Sequence, residues 1–200
     1  MAEKTHFYFM KKKTKKRILG VCIFLVVIAA ALFFFRGDIY RFSVTYKDAR
    51  GRKTYKVKDK NYATFIEDNI PSGQAKDIES IIDLSQEITA KALDFSIDNK
   101  ENDPNKTVLL RRANCVGYAA FAATTGNYLI DKYKLSEVWE AKPVKGKLFL
   151  FGHDLHKQTK DKSFKDHDFV VFRNKITKRE ICIDPSLYDS YGINRISKNE

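Results

Sequence analysis

The stretch most able to do chemistry is RRANCVGYAAFAATTGNYLI, residues 111–130, where one cysteine stands at the start of a small, apolar, helix-like run. The first turn of a helix leaves backbone N–H groups unpaired and carries the positive end of the helix dipole, so it stabilises a thiolate. A thiolate attacks carbonyl carbons. Cys115 is therefore a candidate nucleophile. The structural alternative is a small apolar side chain packed under a sheet.

A cysteine nucleophile needs a base, and the sequence has four histidines: His6, His153, His156 and His167. His167 differs from the other three because it opens the β-like run DHDFVVF, where it shares one strand face with Phe169 and Val171. On the sheet face that meets the helix N-terminus, its imidazole would reach the thiol. The alternative is a surface histidine beside two aspartates.

A third group follows in EICIDPSLYD, where Asp184 ends a predicted strand just before Pro185. If DFVVFRN and EICIDP form a hairpin across the short KITKR turn, Asp184 comes beside His167. A carboxylate there would hold the imidazole in one tautomer. The alternative is an Asp-Pro pair that only opens a turn.

The order Cys, His, Asp, with the cysteine opening a helix and the other two on consecutive strands, resembles the transglutaminase-like family of the papain-like superfamily. The resemblance is carried by NCVGYAAFAATTGNYL, DHDFVVF and CIDPSLYD, within roughly residues 78–191. It implies that Cys115 is the nucleophile, His167 the base and Asp184 the orienting acid. The implied activity is acyl transfer through a thioester to water or an amine, as in a peptidase, an amidase or a transglutaminase acting on protein, peptide or cell-wall substrates.

The remaining site assignments are less constrained by the pattern. The backbone N–H of Cys115 is the natural oxyanion donor, and Asn114 and Tyr118 are candidates for a second donor or a substrate contact. We expect no cofactor. A metal alternative uses His153, Asp154 and His156 with Asp166 or His167, although the lysine-rich loop around them repels cations.

Other functional classes remain open beside the catalytic triad. A member of the same fold could be a catalytically inactive binding module at the membrane. A different cysteine-hydrolase architecture, such as a cell-wall amidase, would use a second histidine or polar residue as the third group. One disulfide between Cys115 and Cys182 also stays open, although the three cysteines of the sequence do not make a disulfide framework.

The N-terminal residues predict a membrane anchor. Seven lysines and arginines face only Glu3 in residues 1–17, and residues 18–35, ILGVCIFLVVIAAALFFF, carry no charge. As a helix this run spans about 27 Å, close to the roughly 30 Å of a hydrocarbon core. The basic side should stay in the cytoplasm, which puts the rest of the chain in the periplasm or at the cell surface. A signal peptide cleaved near Ala29–Ala31 is the alternative, against which Leu32–Phe35 continue the apolar run.

The pattern beyond the anchor predicts an α+β fold with a papain-like, transglutaminase-like core of helices packed on an antiparallel sheet. We assign residues 1–17 to a basic cytoplasmic tail, 18–35 to the transmembrane helix, 38–60 to a β-hairpin or stalk, and 61–200 to the transglutaminase-like domain. A helix is expected over about 76–95, and EVWEAKP, KLFLFG, DFVVFRN and EICIDP are expected as separate short strands. The formal charge of +12 is accounted for in part by the tail, and with no RNA-binding or zinc-finger motif we expect no nucleic-acid partner.

Overall fold

The computed structural model describes residues 2–72, 77–157 and 167–199, and the chain divides into two compact units, Met1–Ile39 and Tyr40–Glu200. The first unit contains helix α1 (Ala2–Phe34). Its segment Arg17–Phe34 has a mean hydropathy of 2.7 over 18 residues, so it is long and apolar enough to cross a membrane. A signal sequence passes the same test, so the segment fits both interpretations of the sequence.

The second unit combines helices with a mostly antiparallel sheet. The helices after α1 are α2 (Arg36–Ser43), α3 (Lys60–Asp68), α4 (Ile78–Ala92), α5 (Pro104–Leu110), α6 (Cys115–Lys132) and α7 (Pro185–Tyr191). The strands are β1 (Val44–Gly51), β2 (Asp94–Phe95), β3 (Arg112–Ala113), β4 (Trp139–Leu150), β5 (His153–Asp154), β6 (His167–Asn174), β7 (Glu180–Ile183) and β8 (Ser197–Lys198). The predicted combination of helices with a mostly antiparallel sheet is confirmed.

The main sheet has the strand order β7-β6-β4-β1-β8, and β5 pairs with β4. Every pair in it is antiparallel except β1–β8, which is parallel. The short strands β2 and β3 form a separate parallel pair directly before α6. This pair fixes the chain that enters α6, and therefore the position of the first helical turn.

Helix α6 lies at the centre of the core, between α4 and the strands β4 and β6. Its residues from Gly117 to Gly126 are all buried, so the helix is covered on every side rather than on one apolar face. Small side chains allow this close approach. A Cβ placed on Gly126 would lie 2.7 Å from the ring of Phe172 on β6.

Of the two alternatives expected for residues 38–60, a β-hairpin or a stalk, the hairpin is not formed. Strand β1 pairs with β4, about 100 residues later in the chain, and with β8 near the C-terminus, so both of its edges are occupied within the sheet. Residues 52–59 form no strand and continue to α3, and their backbone is held by side chains such as Asn105, which accepts from the N–H groups of Lys58 and Asp59. The alternation of apolar residues in this segment reflected one strand and an extended connection.

The two short strands predicted in EVWEAKP and KLFLFG are one long strand, β4. Pro143 and Gly146 lie inside it, although both residue types usually interrupt strands. The carbonyl of Pro143 accepts from the N–H of Arg52, and Gly146 leaves the space that the ring of Phe169 occupies. The glycine therefore serves packing here.

Candidate active site

His167 and Asp184 come together because β6 and β7 form the predicted hairpin. Val170 pairs with Ile183 and Val171 with Cys182, across a turn of five residues. In this register Asp184 follows the end of β7 opposite Phe169, two residues from His167 on the same side of the sheet. Side chains in such diagonal positions are close enough to interact when they are long.

Nε2 of His167 is hydrogen-bonded to Oδ2 of Asp184. The carboxylate is fully buried, whereas the histidine side chain is 23% exposed. Asp184 also begins α7: its Oδ1 accepts from the N–H groups of Ser186 and Leu187 and, at 2.6 Å, from the Ser186 hydroxyl. The Asp-Pro pair therefore opens a helix and orients a histidine at once, which the sequence presented as alternatives.

The face on which His167 lies differs from the expectation. Val170 and Phe172 pack with α6 in the main core, while Phe169 and Val171 belong to a second apolar cluster on the other face of the sheet. The ring of His167 lies on this second face, 6.0 Å from the ring of Tyr46. Each of Cys115 and His167 is the first residue of its element, so the thiol and the imidazole meet where the strand begins, not across the face that α6 covers.

Cys115 is the first residue of α6, as predicted, and Asn114 is its N-cap. Oδ1 of Asn114 accepts from the N–H groups of Val116 at 3.0 Å and Gly117 at 3.2 Å. The N–H of Cys115 itself has no acceptor among the described residues. The thiol is partly exposed and lies close enough to His167 to raise the pKa of its imidazole. Because Nε2 is occupied by Asp184, Nδ1 is the ring nitrogen left for the sulfur.

The electrostatics of the pair favour a charged imidazole. Burial alone lowers the pKa of His167, but the Asp184 carboxylate and the nearby Cys115 raise it, and the net shift is well above the ordinary value. Burial alone raises the pKa of Asp184, but His167, Ser186 and Tyr46 lower it, and the net shift is downward. Asp184 is thus held as a carboxylate that can stabilise an imidazolium.

Cys115 and His167 open into a cleft of about 460 Å³, called the thiol cleft here. Its walls combine apolar and charged side chains. The lining residues are Arg52, Phe95, Ile97, Lys100, Asn114, Cys115, Val116, Leu148, His167 and Asp168. Its volume lies within the range typical of sites for small molecules or single side chains.

The neighbour of the histidine, Asp168, is only 1% exposed and is paired with Arg52. The guanidinium binds it with two hydrogen bonds, of 2.6 Å and 2.9 Å. Such a bidentate pair neutralises the buried carboxylate and ties the segment after β1 to the start of β6. Arg52 therefore forms part of the cleft wall beside His167.

Tyr46 on β1 is a site residue that sequence reasoning missed. Its hydroxyl donates to Oδ2 of Asp184 at 2.8 Å and is hydrogen-bonded to the hydroxyl of Tyr40 at 2.7 Å. Burial is the main cause that raises the pKa of Tyr46 well above its usual value and that of Tyr40 to about 12, so both hydroxyls keep their protons. No local pattern indicates this contact, because Tyr46 and Asp184 are 138 positions apart in the chain.

Of the two guessed contact residues, Asn114 lines the thiol cleft and Tyr118 does not. The side chain of Tyr118 is buried outside the thiol cleft, and its hydroxyl donates to the carbonyl of Leu93 and to the carboxylate of Asp189. A residue three positions after Cys115 lies almost a full helical turn further on, so its side chain leaves the N-terminal opening. Tyr118 ties α6 to the segment after α4 and to α7.

The metal alternative finds no support in the described part of the chain. No group of three or more His, Cys, Asp or Glu side chains there could hold an ion. His153 belongs to the exposed strand β5, Asp166 lies outside the described residues, and His167 is bonded to Asp184. Neither Cys115 nor Cys182 takes part in a disulfide, so the bridge between them is not formed.

Neither a protein-family model nor a curated protein matches this chain. The function is therefore inferred from the chemistry and geometry of the site itself.

Proposed function

We propose that this protein is a cysteine-dependent acyl-transfer enzyme that uses Cys115, His167 and Asp184 as a triad, with the resemblance to transglutaminase-like and papain-like enzymes extending to its core. The observation that carries the proposal is the placement of three groups: a thiol at a helix N-terminus and an imidazole line one cleft, and a fully buried carboxylate is bonded to Nε2 of that imidazole. This is the arrangement that nucleophilic catalysis by a thiol requires.

The reaction follows from the contacts. The sulfur of Cys115 forms a bond to a substrate carbonyl carbon, and the developing oxyanion accepts a hydrogen bond from the N–H of Cys115. The C–N bond breaks as the imidazolium of His167 gives its proton to the leaving amine. Water or an amine then attacks the thioester, His167 takes its proton, and the C–S bond breaks to release the thiolate of Cys115 with the acyl group transferred.

The test is the reaction of Cys115 with iodoacetamide in the full-length chain, held in an uncharged detergent and followed by mass spectrometry of its peptide. At pH 6 about 0.3% of an ordinary free thiol is ionised, so an imidazolium–thiolate pair gives a rate up to about 100-fold higher. We expect this excess in the wild type and its loss in His167→Ala. Cys182, which is buried, is the internal reference for unspecific reaction.

The matched control is His153→Ala, which removes an exposed histidine from β5 and should leave the rate unchanged. Slow alkylation that does not depend on His167 would contradict the proposal and would favour a non-catalytic binding module. Acylation is checked with p-nitrophenyl acetate, which should give a burst of one nitrophenolate per Cys115. No burst should appear in Cys115→Ser.

We also propose that the enzyme is a single-pass membrane protein whose second unit faces the periplasm or the cell surface, where it meets protein, peptide or cell-wall substrates. The apolar segment and the excess of lysine and arginine before it support this orientation. In cells, the intact chain should stay with membranes after alkaline carbonate washing. Protease added outside the cytoplasm should digest the second unit. A soluble product that begins after Ala31 would instead identify a cleaved signal peptide.

A further inference from the structure

A second cleft, of about 370 Å³, adjoins the thiol cleft and is called the cationic cleft here. The two share Arg52 and Val116 as wall residues, so they lie side by side. The cationic cleft is lined by Arg50, Gly51, Arg52, Lys53, Tyr55, Asn102, Val116, Ala120 and Lys145. A substrate held at Cys115 would have room to extend into it.

The charges on the walls are unbalanced. Besides His167, the described residues that line the two clefts carry five lysine and arginine side chains, Arg50, Arg52, Lys53, Lys100 and Lys145, and one carboxylate, Asp168. Arg52 neutralises that carboxylate through its two hydrogen bonds. The cationic cleft itself is lined by no carboxylate among the described side chains. Concave walls of one sign concentrate ligands of the opposite sign.

Two further features indicate a peptide. Asn102 is one of the wall residues of the cationic cleft, and its Oδ1 is buried without a hydrogen-bond donor among the described residues. A rotation of this side chain toward the cleft would offer the acceptor to an N–H group of an entering peptide, which inorganic phosphate does not have. In the thiol cleft, Phe95 and Ile97 are half exposed, at 50% and 52%, and offer an apolar wall beside Cys115.

We propose that the acyl donor is an acidic peptide segment, with an apolar residue beside Cys115 and carboxylate side chains in the cationic cleft. This assignment rests on the proposed acyl-transfer function, but it concerns binding and is tested without turnover. Arg50 and Lys53 are the exposed side chains assigned to the peptide carboxylates. Lys53 lies over the ring of Tyr55, with its ammonium 4.6 Å from the ring centroid, which presents the charge at the cleft wall.

The experiment measures protection of Cys115 by peptides. Full-length protein in an uncharged detergent is alkylated with iodoacetamide in the presence of tetraglutamate or tetraglutamine, and labelling of the Cys115 peptide is followed by mass spectrometry. Two surface ion pairs correspond to roughly a tenfold gain in affinity at low salt. We therefore expect half-protection by tetraglutamate at a concentration about tenfold lower than by tetraglutamine, with the difference shrinking as salt rises. The basic N-terminal residues do not disturb this readout, because only occupancy at Cys115 is measured.

The variant Arg50→Glu/Lys53→Glu should abolish the difference between the two peptides. Its matched control is Lys175→Glu/Lys178→Glu, which changes the charge equally in the exposed β6–β7 turn, at the opposite end of that hairpin from His167. Equal protection by both peptides, a preference that survives in the first variant, or equal protection by inorganic phosphate would overturn the assignment. The protection ratio is readable even if Cys115 reacts slowly, so failure here is distinct from failure of the proposed chemistry.

Discussion

The Tyr46 hydroxyl donates a 2.8 Å hydrogen bond to Oδ2 of Asp184, the same oxygen that meets Nε2 of His167. Oδ2 of Asp184 thus links Tyr46 on β1 to His167 at the start of β6. Oδ1 of the same carboxylate accepts hydrogen bonds from Ser186 and Leu187 in the first turn of α7. Asp184 has little freedom to rotate, and this rigidity is what holds the imidazole toward Cys115.

Tyr46→Phe should slow the alkylation of Cys115 at pH 6 by about tenfold, comparable to the loss of other supporting hydrogen bonds. The change removes one donor to a buried charge, so the free energy of unfolding should fall by about 2 kcal/mol. Trp139 fluorescence in denaturant measures this, since Trp139 is the one tryptophan of the sequence and is buried.

Tyr62→Phe is the control for Tyr46→Phe, because Tyr62 is also fully buried and its hydroxyl is bonded to Thr125 and to the carbonyl of Phe121. It should lower stability and leave the rate at Cys115 unchanged. If both variants slowed the reaction alike, the positioning role of Tyr46 would be wrong.

Asp184→Asn should destabilise the protein in a pH-dependent way. The pKa of His167 is raised on folding. Its contribution to the free energy of unfolding is therefore complete below about pH 6.5 and is lost as the pH rises through the pKa of the folded state. The pKa of Asp184 is lowered on folding. Its contribution to the free energy of unfolding is therefore complete above about pH 4 and is lost as the pH falls through the pKa of the folded state. The loss of stability, about 3 kcal/mol for a broken buried pair, should therefore be largest between about pH 4 and pH 6.5.

The amide of Asp184→Asn can still cap α7, since asparagine is a good N-cap, so the variant isolates the charge from the helix. Denaturant titrations of wild type and variant across pH 3–9 measure the difference. His153→Ala should follow the wild type at every pH. A difference between Asp184→Asn and wild type that is constant with pH would show that the ion pair contributes nothing.

Asn114→Ala should lower the free energy of unfolding by about 1 kcal/mol, because two N–H groups at the start of α6 lose their acceptor. It should also slow alkylation of Cys115, whose position depends on that turn.

Asn114→Asp keeps the cap, so the free energy of unfolding should be close to that of the wild type. It adds a negative charge beside the sulfur, which disfavours the thiolate, so the alkylation rate should fall about tenfold. Asp59→Ala removes the N-cap of α3 and is the control that should change stability alone. An unchanged rate in both Asn114 variants would remove Asn114 from the site.

The parts of the site that sequence could predict are those made by neighbours in the chain. The helix start at Cys115 and the β6–β7 hairpin follow from a cap, an alternating pattern and a short turn, all within a few residues. Together they were enough to bring His167 and Asp184 side by side.

The rest depends on pairings between distant segments, which local patterns do not encode. Strand β1 pairs with β4 and β8, which lie far from it in the chain. The local pattern therefore could not show that residues 38–60 form no hairpin, nor that Tyr46 contacts Asp184. The face of His167 was missed for the same reason. Alternation shows which residues share a face but not which face α6 covers, and both faces of β6 are apolar.

Gly117→Ala should disturb the site through packing. A Cβ at Gly117 would lie 2.6 Å from Cβ of Ala113 on β3 and 3.2 Å from the carbonyl oxygen of Glu101, so the first turn of α6 must move. We expect a loss of about 1–3 kcal/mol, despite the better helix propensity of alanine, together with slower alkylation of Cys115. Gly126→Ala, whose Cβ meets the buried ring of Phe172, lies more than two turns further along α6 and should reduce stability without affecting the rate. Unfolding in denaturant and the pH 6 alkylation rate measure the two effects separately. A Gly117→Ala protein with wild-type reactivity would show that the position of Cys115 does not depend on close contact between α6 and β3.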